Sequence, residues 1–175
     1  QLFLGLMLIL IMFFSVLGYS ISFNDSGTNT GNNKVVYNGF EFEEKNGYWN
    51  LNIGNANLAF RYNPKQVEKI DSEINKFDKY TGKPLYLYSE NNEAQQEIYQ
   101  NIYPFVQRIQ LACPEKEKCN DNLPIKTCGD NFVIIKEGNF SEIKQEKNCV
   151  SVQGQEEEIV KVVDSFLFKL FGIEQ

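Results

Sequence analysis

Histidine is absent from this sequence of 175 residues. Its absence removes the usual general base near neutral pH, the commonest metal ligand, and the Ser-His and Cys-His nucleophile pairs. The sequence also lacks a glycine-rich phosphate loop and a Ser-x-x-Lys motif. Carboxylates are plentiful, so an enzyme that uses carboxylates alone is an alternative. However, a strand end explains Glu43 and Glu44, and a helix start explains residues 156–158. We therefore expect no enzyme, no cofactor and no metal site.

Arginine is scarce, and it occurs only at Arg61 and Arg108. The chain has 17 Lys and Arg residues against 23 Asp and Glu residues, which gives a formal net charge of -6. Binding to nucleic acid requires clustered cations that neutralise phosphates, whereas here the lysines are interspersed with acidic residues. The composition therefore excludes nucleic acid as an expected partner.

No Cys-x-x-Cys pair is present, although the chain has four cysteines, Cys113, Cys119, Cys128 and Cys149. Zinc sites and thioredoxin-like motifs use closer spacings, so we expect two structural disulfides, with four buried free thiols as the alternative. Of the three possible pairings we favour Cys128 with Cys149, because the strands next to them are expected to run parallel and to place both at one end. This leaves Cys113 with Cys119. Disulfides indicate an oxidising, extracytoplasmic compartment.

Charge is absent from the first 23 residues, since the first charged residue is Asp25. About 20 apolar residues at a rise of about 1.5 Å match a hydrocarbon layer about 30 Å thick. A helix that is hydrophobic on all sides must be surrounded by lipid or by other protein. We expect residues 1–23 to form a helix in a membrane or a filament core, residues 24–34 a polar flexible linker, and residues 35–175 an extracytoplasmic α+β head.

The start of the chain resembles type IV pilins, particularly the archaeal ones. The resemblance is carried by Gln1, by the segment LFLGLMLILIMFFSVLGYSI that follows it, by the polar linker and by a strand-rich head. Gly5 stands where bacterial pilins have a glutamate, so a bacterial type of assembly contact is not expected. The resemblance implies that a leader is trimmed before Gln1, and that hydrophobic helices of many copies pack together in an extracellular filament. Seven positions are expected in this helix packing: Leu2, Leu4, Gly5, Leu8, Ile11, Ser15 and Gly18.

An alternative is a permanent signal anchor, in which residues 2–23 stay in the bilayer and hold an extracytoplasmic binding or sensor domain. Both hypotheses place the head at the cell surface and residues 2–23 in the membrane, before assembly in the first case. The partners are copies of this chain in the first hypothesis. The sequence does not identify a surface or glycan ligand.

The head is expected to contain two small antiparallel β-meanders and about three helices. Alternation of apolar and polar residues predicts a first meander over residues 40–62 and a second over residues 131–153. Apolar spacing predicts helices over residues 64–77 and 92–112 and a C-terminal helix that ends at Gly172, with Pro104 bending or splitting the second. The apolar face of the last helix is expected to dock on the core through Ile159, Val162, Val163, Phe166, Leu170 and Ile173. Phe168 and Phe171 fall outside this face, and a subunit contact through them as exposed side chains is the alternative.

Two Asn-x-Ser sequences are acceptor sites for N-glycosylation, at Asn24 and Asn139. Both are expected on the surface, although such tripeptides also arise by chance in an asparagine-rich chain. Tyr86 and Tyr88 alternate with Leu85 and Leu87. The tyrosines are expected to pack beneath a helix, with stacking on a sugar or partner as the alternative.

Overall fold

Three β-sheets and two α-helices make up the part of the chain that the computed structural model describes, residues 33–119 and 122–174. Residues 1–32, which contain the predicted hydrophobic helix and most of the linker, lie outside this part. No helix in the described part is long and apolar enough to cross a membrane.

The first sheet is a four-stranded antiparallel meander, in which β1 adds one strand to the three that were predicted. The strands are β1 (Lys34–Tyr37), β2 (Phe40–Lys45), β3 (Tyr48–Ile53) and β4 (Ala56–Phe60). Two of its turns have the sequence Asn-Gly, with φ of 47° and 83° at Asn38 and Gly39, and 54° and 78° at Asn46 and Gly47. Positive φ at both central residues gives the turn that matches strand twist, so these pairs fix the register.

The second sheet has five strands in the order β10-β11-β9-β5-β6. The strands are β5 (Pro84–Ser89), β6 (Arg108–Leu111), β9 (Phe132–Glu137), β10 (Glu142–Glu146) and β11 (Cys149–Gly154). The predicted second antiparallel meander is wrong, because β11 lies between β10 and β9 and pairs parallel with β9. Both β9 and β11 have buried residues on both faces, as is typical of strands in a parallel sheet.

The third sheet is small and joins β7 (Cys113–Pro114) to β8 (Ile125–Lys126) in parallel. It lies within the cysteine-rich segment that connects β6 to β9. Its pairing gives that segment a defined path.

The two α-helices of the described part are α1 (Asn92–Ile102) and α2 (Ile159–Leu170). The side chain of Asn91 caps α1 by accepting hydrogen bonds of 3.1 Å from the amides of Glu93 and Ala94. Gly172 ends α2 with a φ of 69°, and the Ile173 amide donates to the Phe168 carbonyl at 2.8 Å. A positive φ after the last turn is the common C-terminal cap of a helix, as the position of Gly172 predicted.

The predicted α+β head with about three helices is wrong for the described residues, whose secondary structure is mostly strands with two short α-helices. Residues 64–77 do not form a helix. The side chain of Asn63 accepts from the Lys65 amide at 2.9 Å, as a helix cap would, but one turn later the chain has no regular secondary structure until the short 3-10 helix Phe77–Lys79. Side chains of α2 bind its carbonyls: Ser165 donates to Glu68 at 3.0 Å, and Lys169 donates to Ile70 at 2.8 Å. These tertiary hydrogen bonds replace the bonds a helix would make.

The predicted helix over residues 92–112 is also shorter than expected. It ends at Ile102 and is followed by the 3-10 helix Tyr103–Phe105, which contains Pro104, and then by β6. Proline has no amide hydrogen and clashes with the preceding turn, so the helix stops and the chain re-enters the sheet.

The main core lies where the helices meet both sheets. Helix α1 contacts β4 of the first sheet and β5 of the second, while α2 contacts β11. Phe168 of α2 packs on Phe42 and Phe60 of the first sheet, with ring centroids 5.8 Å and 4.7 Å away. Only 1% of Phe168 is exposed, so the expectation that its side chain faces outward is wrong. Phe171 is partly buried against the same core.

Candidate functional site

The second sheet has one face on the main core and another that the cysteine-rich segment covers. Alternation along β5 and β9 sends Leu85, Leu87 and Val133 to the core, and Tyr86 and Phe132 to the other face. We call residues 112–130 the disulfide loop. The described residues of this loop, with those of the covered face, form a second and smaller apolar cluster.

A cleft of about 490 Å³ opens between the disulfide loop and the covered face. Its apolar wall is formed by Phe132, Ile134 and the Cys128–Cys149 disulfide. Its rim carries both signs of charge, contributed by Glu115, Lys116, Glu117, Lys126, Lys136, Glu146 and Lys147. A concave site with an apolar wall and a few polar groups has the usual composition of a ligand cleft.

Two disulfides hold the loop that forms this cleft. Cys113 is bonded to Cys119 with a Cα separation of 5.8 Å, and Cys128 to Cys149 with a separation of 4.8 Å. The structure thus contains the two disulfides expected from the sequence, with the favoured pairing, and the described residues include no free cysteine. Since disulfides persist in oxidising environments, the head belongs to an oxidising, extracellular or secreted environment.

An ion pair connects the disulfide loop to the sheet across the cleft. The ammonium of Lys136 on β9 contacts the carboxylate of Glu117, which lies inside the short loop closed by Cys113 and Cys119. About a third of each side chain is exposed, at 31%. The pair is therefore open to solvent at the mouth of the cleft, and a charged ligand has access to both partners.

Tyr86 lies beneath the disulfide loop, and not beneath a helix as predicted. The Nζ of Lys126 is 4.1 Å from the centroid of its ring, and Arg108 donates to its hydroxyl oxygen at 3.4 Å. Hydrogen bonding by Lys126, followed by that of Arg108, lowers the pKa of the Tyr86 phenol. No local pattern indicates that these two cations contact one tyrosine, because they are separated along the chain and converge only through the sheet.

Tyr88 is the second tyrosine on this face and is partly buried in the same cluster. Its hydroxyl donates to Glu90 at 3.4 Å. Burial, together with the nearby charges of Glu90 and Glu117, raises the pKa of Tyr88. The two tyrosines thus have opposite electrostatic surroundings on one face.

A second polar cluster lies inside the head, on the edge strand β4. Backbone amides of β4 and of the residue that follows it donate to side chains of α1. The Ala59 amide donates to Asn101 at 2.8 Å, and the Arg61 amide donates to Glu97 at 2.9 Å. Asp164 of α2 accepts from the amide of Tyr62 at 2.8 Å. Burial raises the pKa of both carboxyl groups, and the charge of Glu97 raises that of Asp164 further.

These buried carboxyl groups have a structural role, because one oxygen of each accepts a hydrogen bond from a backbone amide in the interior. Glu97 is 4% exposed and Asp164 is fully buried. Burial of Glu97 and Asp164 was not predicted from the sequence, although each is an acidic residue next to apolar positions on an amphipathic helix. That position is the signal that would have identified them, since an unpaired charge is not placed in a core.

The predicted modification and packing residues divide between the described and the undescribed parts. Asn139 lies in the connection between β9 and β10, where it, Phe140 and Ser141 are all exposed. Asn24 lies outside the described residues, as do all seven positions predicted for helix packing. In residues 33–119 and 122–174, no three Cys, Asp or Glu side chains are grouped so as to hold a metal ion.

Comparison with protein-family models found no match, and searches of curated proteins and of solved structures found no similar protein.

Proposed function

We propose that this protein is a structural subunit of an extracellular, pilus-like filament, in which residues 2–23 of many copies pack together and the heads form the outside. The proposal depends on one observation: a charge-free apolar segment is joined by a polar linker to a head that contains two disulfides. Such a segment must leave water, and the head is built for an oxidising exterior.

Assembly would exchange lipid contacts for protein contacts and involves no chemical step. Before assembly, residues 2–23 lie in the membrane, whose hydrocarbon thickness of about 30 Å matches about 20 helical residues. Gly5, Ser15 and Gly18 are small, and small residues allow apolar helices to approach closely. Residues 24–34, rich in Asn, Ser, Thr and Gly, then let each head adjust its position on the filament surface.

Glycosylation of Asn139 belongs to this proposal, because the tripeptide Asn139-Phe140-Ser141 is exposed in a connection between strands. Phe140 is 60% exposed, so an attached sugar would cover an apolar side chain that otherwise faces water. Intact masses of native protein and of the variants Asn139→Gln and Ser141→Ala test this. Both variants should lose the same glycan mass, and a native mass equal to that of the unmodified chain contradicts it.

A second candidate function is favoured by the cleft of about 490 Å³ beneath the disulfide loop. In this case residues 2–23 remain in the bilayer as an anchor, and the head binds a ligand at the cell surface. The apolar wall and the charged rim suit a ligand with both apolar and charged groups.

Shearing of cells that produce the full chain separates the two functions. Recovery of the chain in sedimentable fibres supports the filament, whereas recovery only as detergent-extracted monomers contradicts it and supports the anchor. A matched variant, Gly5→Leu, should reduce fibre recovery, because a larger side chain separates the helices. The control Leu8→Ile keeps size and hydrophobicity and should assemble normally.

A further inference from the structure

Four parallel strands give the head two chemically different ends. Strands β5, β6, β9 and β11 all run in one direction, so their amino ends lie together at one edge of the sheet. Six residues of β9 separate the two edges by about 17 Å at the usual rise per residue. We call them the amino edge, near Pro84 and Phe132, and the carboxyl edge, near Glu137 and Gly154.

Cations collect at the amino edge. A cleft of about 400 Å³ there is lined by Lys79, Lys83, Tyr86, Asn131 and Asn148, among others. Arg108 and Lys126, which contact Tyr86, add two more positive charges.

Asp130 also lines this cleft, but it is already paired with Lys126 at 3.3 Å. Asp78 and Glu146 also lie near this edge, and among the described residues named here the cations outnumber the carboxylates.

The lysines of this cleft are available to a partner. Lys79 and Lys83 are exposed, and neither makes an ion pair within residues 33–119 and 122–174. Asn131 and Asn148 are fixed by hydrogen bonds to the carbonyls of Lys79 and Gly129 at 3.3 Å and 3.1 Å. The cleft is therefore a basic pocket with fixed walls, on a chain whose net charge is -6.

Carboxylates collect at the carboxyl edge. Glu90 reaches the end of β9 and accepts from the Glu137 amide at 2.9 Å. The turn that follows β11 carries three consecutive glutamates, of which Glu156 and Glu157 are exposed and unpaired within the described residues. Lys136 and Lys161 lie near this edge, and each already pairs with a glutamate. The carboxyl edge is therefore strongly acidic.

We infer that the amino edge of one head binds the carboxyl edge of the next copy, with residues 156–158 of the second copy facing Lys79 and Lys83 of the first. The inference rests on the proposed filament and names the contact between its heads. Two different surfaces meet at this contact, so each copy keeps one surface free for a further copy, and the contact can continue along a filament. Opposite charge selects this orientation, because two amino edges or two carboxyl edges repel each other.

Complementary charge reversal tests the inference in the full chain. The variant K79E/K83E has two acidic ends and E156K/E157K has two basic ends, so each alone should be recovered in fibres at a level reduced by about tenfold. Mixing the two should restore fibres in which they alternate. K65E/K144E is the matched control, because it changes net charge equally at exposed lysines away from both edges and should assemble normally.

A zero-length cross-link on the wild-type chain gives an independent measurement. A carbodiimide joins an ammonium to a carboxylate only where they touch, and a mixture of two isotope-labelled pools shows which links join different copies. Links from Lys79 or Lys83 to Glu156 or Glu157 between copies support the inference. Fibres that lack these links and tolerate both reversals overturn it but leave the filament intact. Cross-links between heads in the absence of fibres support the contact but overturn the filament. If neither the cross-links nor the fibres are found, both the contact and the filament are overturned.

Discussion

Glu97 of α1 and Asp164 of α2 are buried neighbours, because the consecutive amides of Arg61 and Tyr62 donate to one carboxyl group each, at 2.9 Å and 2.8 Å. Burial raises the pKa of both groups above their ordinary values. A carboxyl group whose pKa is raised in the folded state favours folding below its unfolded pKa. That contribution is lost as the pH rises through the folded pKa.

The first prediction concerns Asp164→Asn. The amide keeps an oxygen for the Tyr62 amide and cannot ionise, so unfolding no longer gains from releasing the proton that Asp164 holds through its raised pKa. The free energy of unfolding at pH 7 should therefore rise by roughly 1–3 kcal/mol. Stability should also depend less on pH between pH 4 and 7. Denaturant unfolding followed by the fluorescence of Trp49, the single tryptophan, measures both effects.

The control for this prediction is Glu97→Gln, which should be destabilising. Both carboxylate oxygens of Glu97 accept hydrogen bonds, from Arg61 and from Gln100 at 3.0 Å, so an amide nitrogen would face a donor. Equal effects of the two amide variants at pH 7 would contradict the assignment of these oxygens.

The second prediction compares the disulfides. Cys128 and Cys149 are 21 residues apart, whereas Cys113 and Cys119 are 6 apart. The longer loop restricts the unfolded chain more, so the double change C128S/C149S should cost about 3 kcal/mol and C113S/C119S about 2 kcal/mol. Denaturant midpoints of the two variants provide the comparison. If C113S/C119S were the more destabilising change, the entropy of the closed loop would not explain the difference in stability between the two variants.

The third prediction concerns Phe168→Ala. The ring is buried against Phe42 and Phe60, so its removal should destabilise the head by about 3–5 kcal/mol. Phe140→Ala is the matched control, because Phe140 is 60% exposed and its loss should change the free energy of unfolding by less than about 0.5 kcal/mol. Thermal unfolding of both variants distinguishes a core phenylalanine from a surface one. A small effect at Phe168 would indicate the alternative, a contact between subunits.

The fourth prediction concerns Lys126→Met. Because hydrogen bonding by Lys126 is the largest cause of the lowered pKa of Tyr86, the variant should raise that pKa toward its ordinary value. Carbon-13 NMR of labelled tyrosine, with Tyr86→Phe to assign the signal, follows the titration. Lys83→Met is the control, since Lys83 lines the neighbouring cleft without appearing among the groups that shift the phenol. An unchanged titration in Lys126→Met would exclude the contact in solution.

Local patterns predicted the parts of the head that depend on local chemistry. The Asn46-Gly47 turn and the cap after α2 follow from backbone preferences that a few residues determine. The disulfide pairing was also reached in this way, from the expected direction of two strands. From the sequence, Pro104 is expected only to bend or split a helix over residues 92–112, whereas the helix ends at Ile102.

Long-range contacts decided what the sequence did not predict. Residues 64–77 have helical spacing, yet Ser165 and Lys169 of α2 donate hydrogen bonds to carbonyls of this segment, and it does not form a helix. The order of the strands along the chain, β9, β10 and β11, also does not predict that β11 lies between β9 and β10 in the sheet. The two clefts also could not be predicted from local patterns. Their residues come from distant segments of the chain, which the strand order of the second sheet brings together.

The polar side chains beside β4 have a consequence for crowding. An open strand edge presents unpaired backbone groups that recruit a strand from a neighbouring molecule. Gln100, Asn101 and Glu97 already occupy the backbone groups of Ala59 and Arg61 on this edge. At high local concentration the heads are thereby protected on this side from pairing their β4 edges with strands of neighbouring molecules into amyloid-like sheets.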